Sequence, residues 1–188
     1  MNILWDFDGT LFDTYPAYTD IMYDVLNGHF AKQEILAHLK NSFTHTVKFY
    51  GLSEQQIKKN FALEKELDPA ETPPFPYVEN VLKLADVNVM MTHKPRKEVL
   101  RILNYYNWTD YFTEIVAIDD GYPRKPNPSS YIYLNEKYRL DLVIGDREID
   151  ILPGHEIGIK TCLFQNRTPG ADCYLDTYED FAAKCLQR

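Results

Sequence analysis

The chain has 188 residues, of which 45% are hydrophobic and 26% charged, as expected for one globular core domain with room for a small insertion. Its formal net charge of -8 argues against nucleic acid or an anionic membrane as a partner, although a local cation can still hold an anionic substrate. No apolar run approaches the ~20 residues of a membrane helix, and the first strand takes the place of a secretory signal, so we expect a cytoplasmic protein.

The first predicted element is a short apolar strand over residues 2–5, followed by the string DFDGTLFDT. Asp6 and Asp8 are two residues apart, so in extended chain both side chains point to the same side. Two like charges held that close require a cation or a shared proton as compensation. Gly9 permits the sharp turn that ends the strand. This pair of aspartates is the strongest indication of a functional site.

The segment 15–68 shows helical periodicity and no convincing strand. One apolar stripe begins at Tyr18, a second helical region covers 35–49, and Ser53 is the predicted N-cap of a third helix that runs toward residue 67. A proline-rich stretch over 68–76 follows. We therefore predict a helical insertion with hinge segments over 15–76, between two parts of one core domain, 1–14 and 77–188.

From residue 77 onward, predicted strands alternate with predicted helices, which indicates parallel strands joined by crossovers. The strands are expected at 87–91, 114–118, 140–144 and 159–164, and the helices at 95–105, 128–138, 147–156 and 177–186, the last with Thr177 as its N-cap. The predicted fold class is α/β: a three-layer α/β/α, Rossmann-like parallel sheet with a small helical cap inserted after the first strand.

Each candidate functional group follows the end of a predicted strand, where ligands bind in open α/β sheets. These groups are Asp6 and Asp8, then Thr92 and His93, then Lys125 in RKPNP, and finally Asp146 and Asp150 in GDREID. Carboxylates from two strands suit Mg²⁺, whereas a hydroxyl, a lysine and loop amides suit a phosphoryl group. We expect Asp6 to attack phosphorus, Asp8 to act as acid and base, and Thr92, Lys125 and the backbone amide of His93 to bind phosphate.

The strings DFDGTLFDT and GDREID, with Thr92 and Lys125 between them, resemble the four motifs of the haloacid dehalogenase-like hydrolases. The helical insertion resembles the cap of the branch that holds phosphoglycolate phosphatase and β-phosphoglucomutase. The resemblance implies Asp6 as nucleophile and Asp8 as acid/base. It also implies Mg²⁺ bound by Asp6, the backbone carbonyl of Asp8 and Asp146, with support from Asp150.

The sequence thus predicts a Mg²⁺-dependent phosphatase that hydrolyses a small phosphorylated metabolite through an aspartyl-phosphate. Asp8 favours phosphorus chemistry over dehalogenation, because the dehalogenases of this superfamily lack an aspartate there. The absence of a histidine shortly after the first motif weakens a phosphomutase interpretation. A phosphomutase, a pyrophosphatase or nucleotidase, and a non-catalytic phosphate-binding module remain alternatives.

The three cysteines, Cys162, Cys173 and Cys185, form an odd set that contains no CxxC pair. This pattern favours reduced, structural thiols.

Overall fold

A computed structural model describes residues 1–186, and the chain divides into two compact units. One unit contains Met1–Phe12 and the chain from Pro74 onward; the other is Asp13–Pro73. The boundaries predicted from sequence follow residues 14 and 76. They lie two and three residues further along the chain than the boundaries in the structure, which follow residues 12 and 73.

The first unit is built on a six-stranded sheet with the order β3-β2-β1-β4-β5-β6. Every neighbouring pair of strands is parallel. The strands are β1 (Asn2–Trp5), β2 (Val87–Met91), β3 (Phe112–Val116), β4 (Leu142–Gly145), β5 (Lys160–Phe164) and β6 (Cys173–Leu175). The predicted fold class, a Rossmann-like parallel sheet with helices, is therefore confirmed.

Within residues 1–186, four α-helices lie in the second unit and five in the first. They are α1 (Tyr15–Val25), α2 (Lys32–Asn41), α3 (Phe43–Tyr50), α4 (Glu54–Glu66), α5 (Val78–Leu84), α6 (Arg96–Tyr105), α7 (Ser129–Tyr138), α8 (Glu148–Glu156) and α9 (Phe181–Cys185). None of these helices has the length and apolar character needed to cross a lipid bilayer.

Strand β1 lies in the middle of the sheet and is covered on both faces. Ile3 and Trp5 pack in one buried cluster and Leu4 in another, and all three side chains are fully buried. A strand buried on both faces reads as a continuous apolar run, which explains its sequence. The two clusters are the two interfaces of a three-layer α/β/α arrangement.

The second unit is a set of helices α1–α4 around its own apolar core. The buried residues of that core are Tyr15, Ile21, Met22, Val25, Leu26, Ile35, Leu39 and Leu52. The predicted cap at Ser53 is confirmed, because its hydroxyl accepts a hydrogen bond from the backbone N–H of Gln56 at the start of α4.

The prediction of one helical region over 35–49 is wrong in one respect, because Ser42 separates α2 from α3. Its backbone is extended, with φ −174° and ψ 157°, and its hydroxyl accepts from the N–H of His45. A serine that caps a helix interrupts the backbone but not the apolar periodicity. Helix α5 and strand β6 were not predicted, and β3 begins two residues before the predicted strand.

The expectation that all three cysteines are reduced is also wrong. Cys173 of β6 and Cys185 of α9 form a disulfide, with their Cα atoms 5.9 Å apart. Cys162 of β5 keeps its thiol and is buried, and burial raises its pKa to about 12. Residue counts and spacing carried no signal for this pairing, since it depends on β6, which the sequence pattern does not reveal.

The outer edge of the sheet carries a polar cluster centred on Glu114 of β3. Its carboxylate accepts from the hydroxyls of Tyr133 and Tyr138, each at 2.6 Å, and from Lys137 Nζ at 2.7 Å. Burial alone would raise the pKa of Glu114, but these donors on α7 lower it to about 2. The ionised carboxylate therefore links α7 to the edge strand.

We expect Glu114→Gln to lower the free energy of unfolding by about 1 kcal/mol at pH 7, because hydrogen bonds to a partly exposed charge are lost. The pKa of Glu114 lies below its ordinary value of 4.5 in the folded state, so its contribution is complete above pH 4.5 and declines toward pH 2. Urea unfolding of the wild-type protein and of Glu114→Gln between pH 7 and pH 3 measures the difference in the free energy of unfolding. The difference should shrink below pH 4.5, and the exposed control Glu136→Gln should show little effect; a difference independent of pH would contradict the assignment.

Candidate active site

Three carboxylates converge where β1 and β4 end. Asp6 follows β1 directly, and its N–H donates to the carbonyl of Ile144 at 2.9 Å, which extends the ladder between the two strands. Asp146 follows β4, and Asp150 lies in the first turn of α8. One oxygen atom from each of the three carboxylates lies within 4.8 Å of the others, and all three residues are buried.

A buried lysine neutralises part of this charge. Lys125 Nζ lies 2.6 Å from Asp6 Oδ1 and 2.5 Å from Asp150 Oδ1, and it donates to the carbonyl oxygen of Met91 at 3.3 Å. The Lys125 side chain is entirely enclosed. Because Lys125 comes from the loop before α7, it joins three segments that are far apart in the sequence.

The pKa values of these groups depend on one another. Burial raises the pKa of Asp6, as does the carboxylate of Asp150, and Lys125 opposes this only in part. Burial alone would also raise the pKa of Asp150, but Lys125 and then Arg147 lower it. Burial alone would lower the pKa of Lys125, but Asp150 and Asp6 raise it, so Lys125 is charged at neutral pH.

The side chain of Asp150 leaves no room for a side chain at residue 145. A Cβ atom added to Gly145 would lie 2.3 Å from Asp150 Cβ. The N–H of Arg147 donates to Asp150 Oδ2 at 3.1 Å, and the hydroxyl of Tyr131 donates to the Asp150 carbonyl at 2.8 Å. Glycine at the end of β4 is thus required by the close approach of Asp150.

The side chain of Asp8 does not belong to the group of three carboxylates. Its Oδ1 lies 3.3 Å from Nζ of Lys94, and the Lys94 side chain is largely buried. Thr92 is buried at the end of β2, and its hydroxyl accepts from the N–H of Lys94 at 3.1 Å. The loop after β2 therefore brings a second lysine to the second aspartate.

His93 contacts the Lys125 loop through its ring. Nε2 accepts a hydrogen bond from the backbone N–H of Lys125 at 2.9 Å. Burial lowers the pKa of His93 to about 3, and the neighbouring cations Lys125 and Arg124 contribute. The sequence pointed only to the backbone amide of His93; this ring contact was not predicted.

Sequence reasoning missed four residues that support the site. Thr10 Oγ1 donates to Asp6 Oδ2 at 3.4 Å, and Asn166 Nδ2 donates to the carbonyl of Asp146 at 2.7 Å. Lys94 pairs with Asp8, and Arg147 Nε lies 3.7 Å from Asp146 Oδ1. Thr10 and Arg147 lie inside the quoted motifs and could have been found there, whereas nothing in the local sequence around Asn166 indicates its role.

The donor set fits a hard divalent cation such as Mg²⁺. Asp6, Asp146 and Asp150 supply carboxylate oxygens, the ligand type that Mg²⁺ prefers. Three carboxylates exceed the charge of Lys125 and Arg147 by one, so a divalent cation is electrostatically favoured there. In the set of Mg²⁺ ligands predicted from the resemblance, Asp8 contributes its backbone carbonyl and not its side chain.

A family profile, related sequences and a solved structure each match this chain over most of its length. The sequence profile described as haloacid dehalogenase-like hydrolase matches residues 3–164. A phosphoglycolate phosphatase of Psychrobacter arcticus is 24% identical, covering 85% of this chain and 80% of that protein. The pyrophosphatase PpaX of Halalkalibacterium halodurans is 23% identical, covering 98% and 93%. The crystal structure of a hydrolase from Streptococcus pneumoniae superposes with a TM-score of 0.67 at 31% identity, covering 88% of this chain and 92% of that one.

We expect Lys125→Met to lower the free energy of unfolding by about 3–5 kcal/mol, because it leaves two buried carboxylates without their shared cation. Urea unfolding in the presence of EDTA measures this without compensation by a divalent ion. Lys97→Met, which removes an exposed lysine on α6, serves as the control and should cost less than about 0.5 kcal/mol. Equal stability of the two variants would show that the Lys125 ion pairs contribute nothing net.

Proposed function

The chain belongs to the haloacid dehalogenase-like hydrolase family and is an enzyme of the phosphatase type, and we propose that it hydrolyses a small phosphorylated metabolite with Mg²⁺ through an aspartyl-phosphate on Asp6. The observation that carries this proposal is the buried cluster of Asp6, Asp146 and Asp150, in which Lys125 contacts both Asp6 and Asp150. Oxygen ligands beside a fixed ammonium group suit the positioning and charge stabilisation on which phosphoryl transfer depends.

In the first step, a carboxylate oxygen of Asp6 attacks phosphorus, and the bond from phosphorus to the leaving oxygen breaks. Asp8 donates a proton to that oxygen, which leaves as an alcohol. In the second step, Asp8 takes a proton from water, and the resulting hydroxide attacks phosphorus and releases Asp6 and inorganic phosphate. Lys94, 3.3 Å from Asp8, is placed to fix the orientation of this carboxylate.

Lys125 and Thr92 would bind the phosphoryl group during the same reaction. The Lys125 ammonium group is in contact with Asp6 and is placed to offset charge on the phosphoryl oxygens. The Thr92 hydroxyl lies at the end of β2 and supplies a further hydrogen bond to them. Asp6, Asp146 and Asp150 would hold Mg²⁺, which when bound neutralises charge on the phosphoryl group.

The names of the relatives suggest two substrate classes. Relatives named phosphoglycolate phosphatase favour a phosphorylated hydroxy acid, and relatives named pyrophosphatase favour a phosphoanhydride. Both classes are small and carry two acidic groups. We also propose that the helical unit Asp13–Pro73 acts as the cap that selects among such substrates.

We expect Asp6→Asn to reduce the turnover of p-nitrophenyl phosphate by at least about 1,000-fold, because an amide is a far poorer nucleophile than a carboxylate. Steady-state kinetics, with circular dichroism to confirm folding, measures this. Asp110→Asn changes an exposed aspartate in the same unit and should retain full turnover. A folded Asp6→Asn protein with ordinary activity would refute the nucleophile assignment.

Removal of divalent ions with EDTA should abolish turnover, and Mg²⁺ should restore it. A saturating concentration of about 100 times Kd should also stabilise the wild-type protein by about 2.7 kcal/mol. Asp146→Asn should lose most of that stabilisation, since it removes one of the three carboxylates. Thermal unfolding with and without Mg²⁺ tests this separately from catalysis, and the same Mg²⁺ effect in both proteins would place the ion elsewhere.

A further inference from the structure

We propose that Arg124 and the ring of His93 form a subsite for a second acidic group of the substrate, distinct from the phosphoryl group that is hydrolysed. The inference rests on the proposed function and narrows its substrate class to compact molecules that carry two acidic groups. Its basis is a pair of hydrogen-bond donors that face each other beside the buried lysine.

The hydrogen bond from Lys125 fixes the protonation state of the His93 ring. A backbone N–H can only donate, so Nε2, 2.9 Å from the Lys125 nitrogen, must be the unprotonated nitrogen of the ring. A neutral imidazole then carries its one proton on Nδ1. The low pKa of His93, about 3, keeps the ring neutral throughout the physiological range.

The protonated Nδ1 of His93 faces a second donor. Arg124 Nη2 lies 3.3 Å from it, and a guanidinium group has no acceptor atom. No hydrogen bond can therefore join these two nitrogen atoms to each other. An oxygen atom that approached both would accept from both, and a negatively charged oxygen would also balance the arginine.

The chain holds this donor pair next to the phosphoryl site. Arg124 directly precedes Lys125, whose ammonium group contacts Asp6, and His93 directly follows Thr92. Each donor is thus one residue away in the chain from a residue that the proposed function assigns to the phosphoryl group, so a compact ligand is favoured over an extended one. Arg124 is exposed and half-buried His93 is fixed by Lys125, so the subsite is open to a ligand on one side and anchored on the other.

A carboxylate and a second phosphoryl group would satisfy these donors in the same way. Both present anionic oxygen atoms to a guanidinium group, which binds either in a bidentate manner. In either case the substrate must carry a second anionic group close to the phosphoryl group that is hydrolysed. A phosphate ester with an uncharged remainder would offer these donors no anionic oxygen and would leave them to water.

The test measures binding of phosphonates, which cannot be hydrolysed, by calorimetry with Mg²⁺ in excess. Phosphonoacetate carries a carboxylate, methylenediphosphonate carries a second phosphoryl group, and ethylphosphonate carries neither. We expect either phosphonoacetate or methylenediphosphonate to bind the wild-type protein about tenfold tighter than ethylphosphonate. The compound that binds tighter identifies the second anion of the substrate as a carboxylate or a phosphoryl group. In Arg124→Gln this preference should fall to about twofold, and Arg124→Lys should keep an intermediate value.

Arg139→Gln is the matched control, because it removes another exposed arginine at the far end of α7 and should preserve the wild-type preference. If wild-type protein and Arg124→Gln show the same preference while p-nitrophenyl phosphate is turned over, the subsite is refuted and the proposed function stands. If wild-type protein neither binds the phosphonates nor turns over p-nitrophenyl phosphate, the proposed function fails and the subsite with it.

Discussion

The ammonium group of Lys125 is the interaction on which the candidate site depends. Two carboxylates enclosed in a protein interior repel each other and lose their hydration, so without a cation one of them would take up a proton. Lys125 removes that conflict by contacting Asp6 and Asp150 together, and the Met91 carbonyl and the His93 ring hold its own segment in position. A single buried charge thus determines the conformation of a loop as well as the ionisation of its neighbours.

The topology of the sheet explains why these residues meet. The order β3-β2-β1-β4-β5-β6 runs in one direction from β1 to β3 and in the other from β4 to β6. The order reverses between β1 and β4, where crossover helices leave toward opposite faces and open a crevice beyond the strand ends. Asp6 and Asp146 follow these two strands directly, so the fold itself brings together side chains that are remote in sequence.

The sequence predicted those features of the fold that depend on interactions between residues close together in the chain. The apolar run of β1, the aspartates after it and the alternation of later strands and helices were sufficient for the α/β fold and its parallel sheet. Helix α5 and strand β6 are too short for periodicity to reveal, and the Cys173–Cys185 disulfide depends on β6. Within the site, the contacts of Lys94 with Asp8 and of His93 with Lys125 depend on loop conformation, on which sequence spacing carries no information.

The central position of β1 has a consequence for biosynthesis. Asn2 pairs with Val87 of β2, and Ile3 pairs with Leu142 of β4, so both neighbours of this strand are made long after it. At about 5–20 residues per second, several seconds pass on the ribosome before the sheet can close around it. During that interval an apolar strand is exposed to other nascent chains, and early chaperone binding would protect the segment on which the fold is later built.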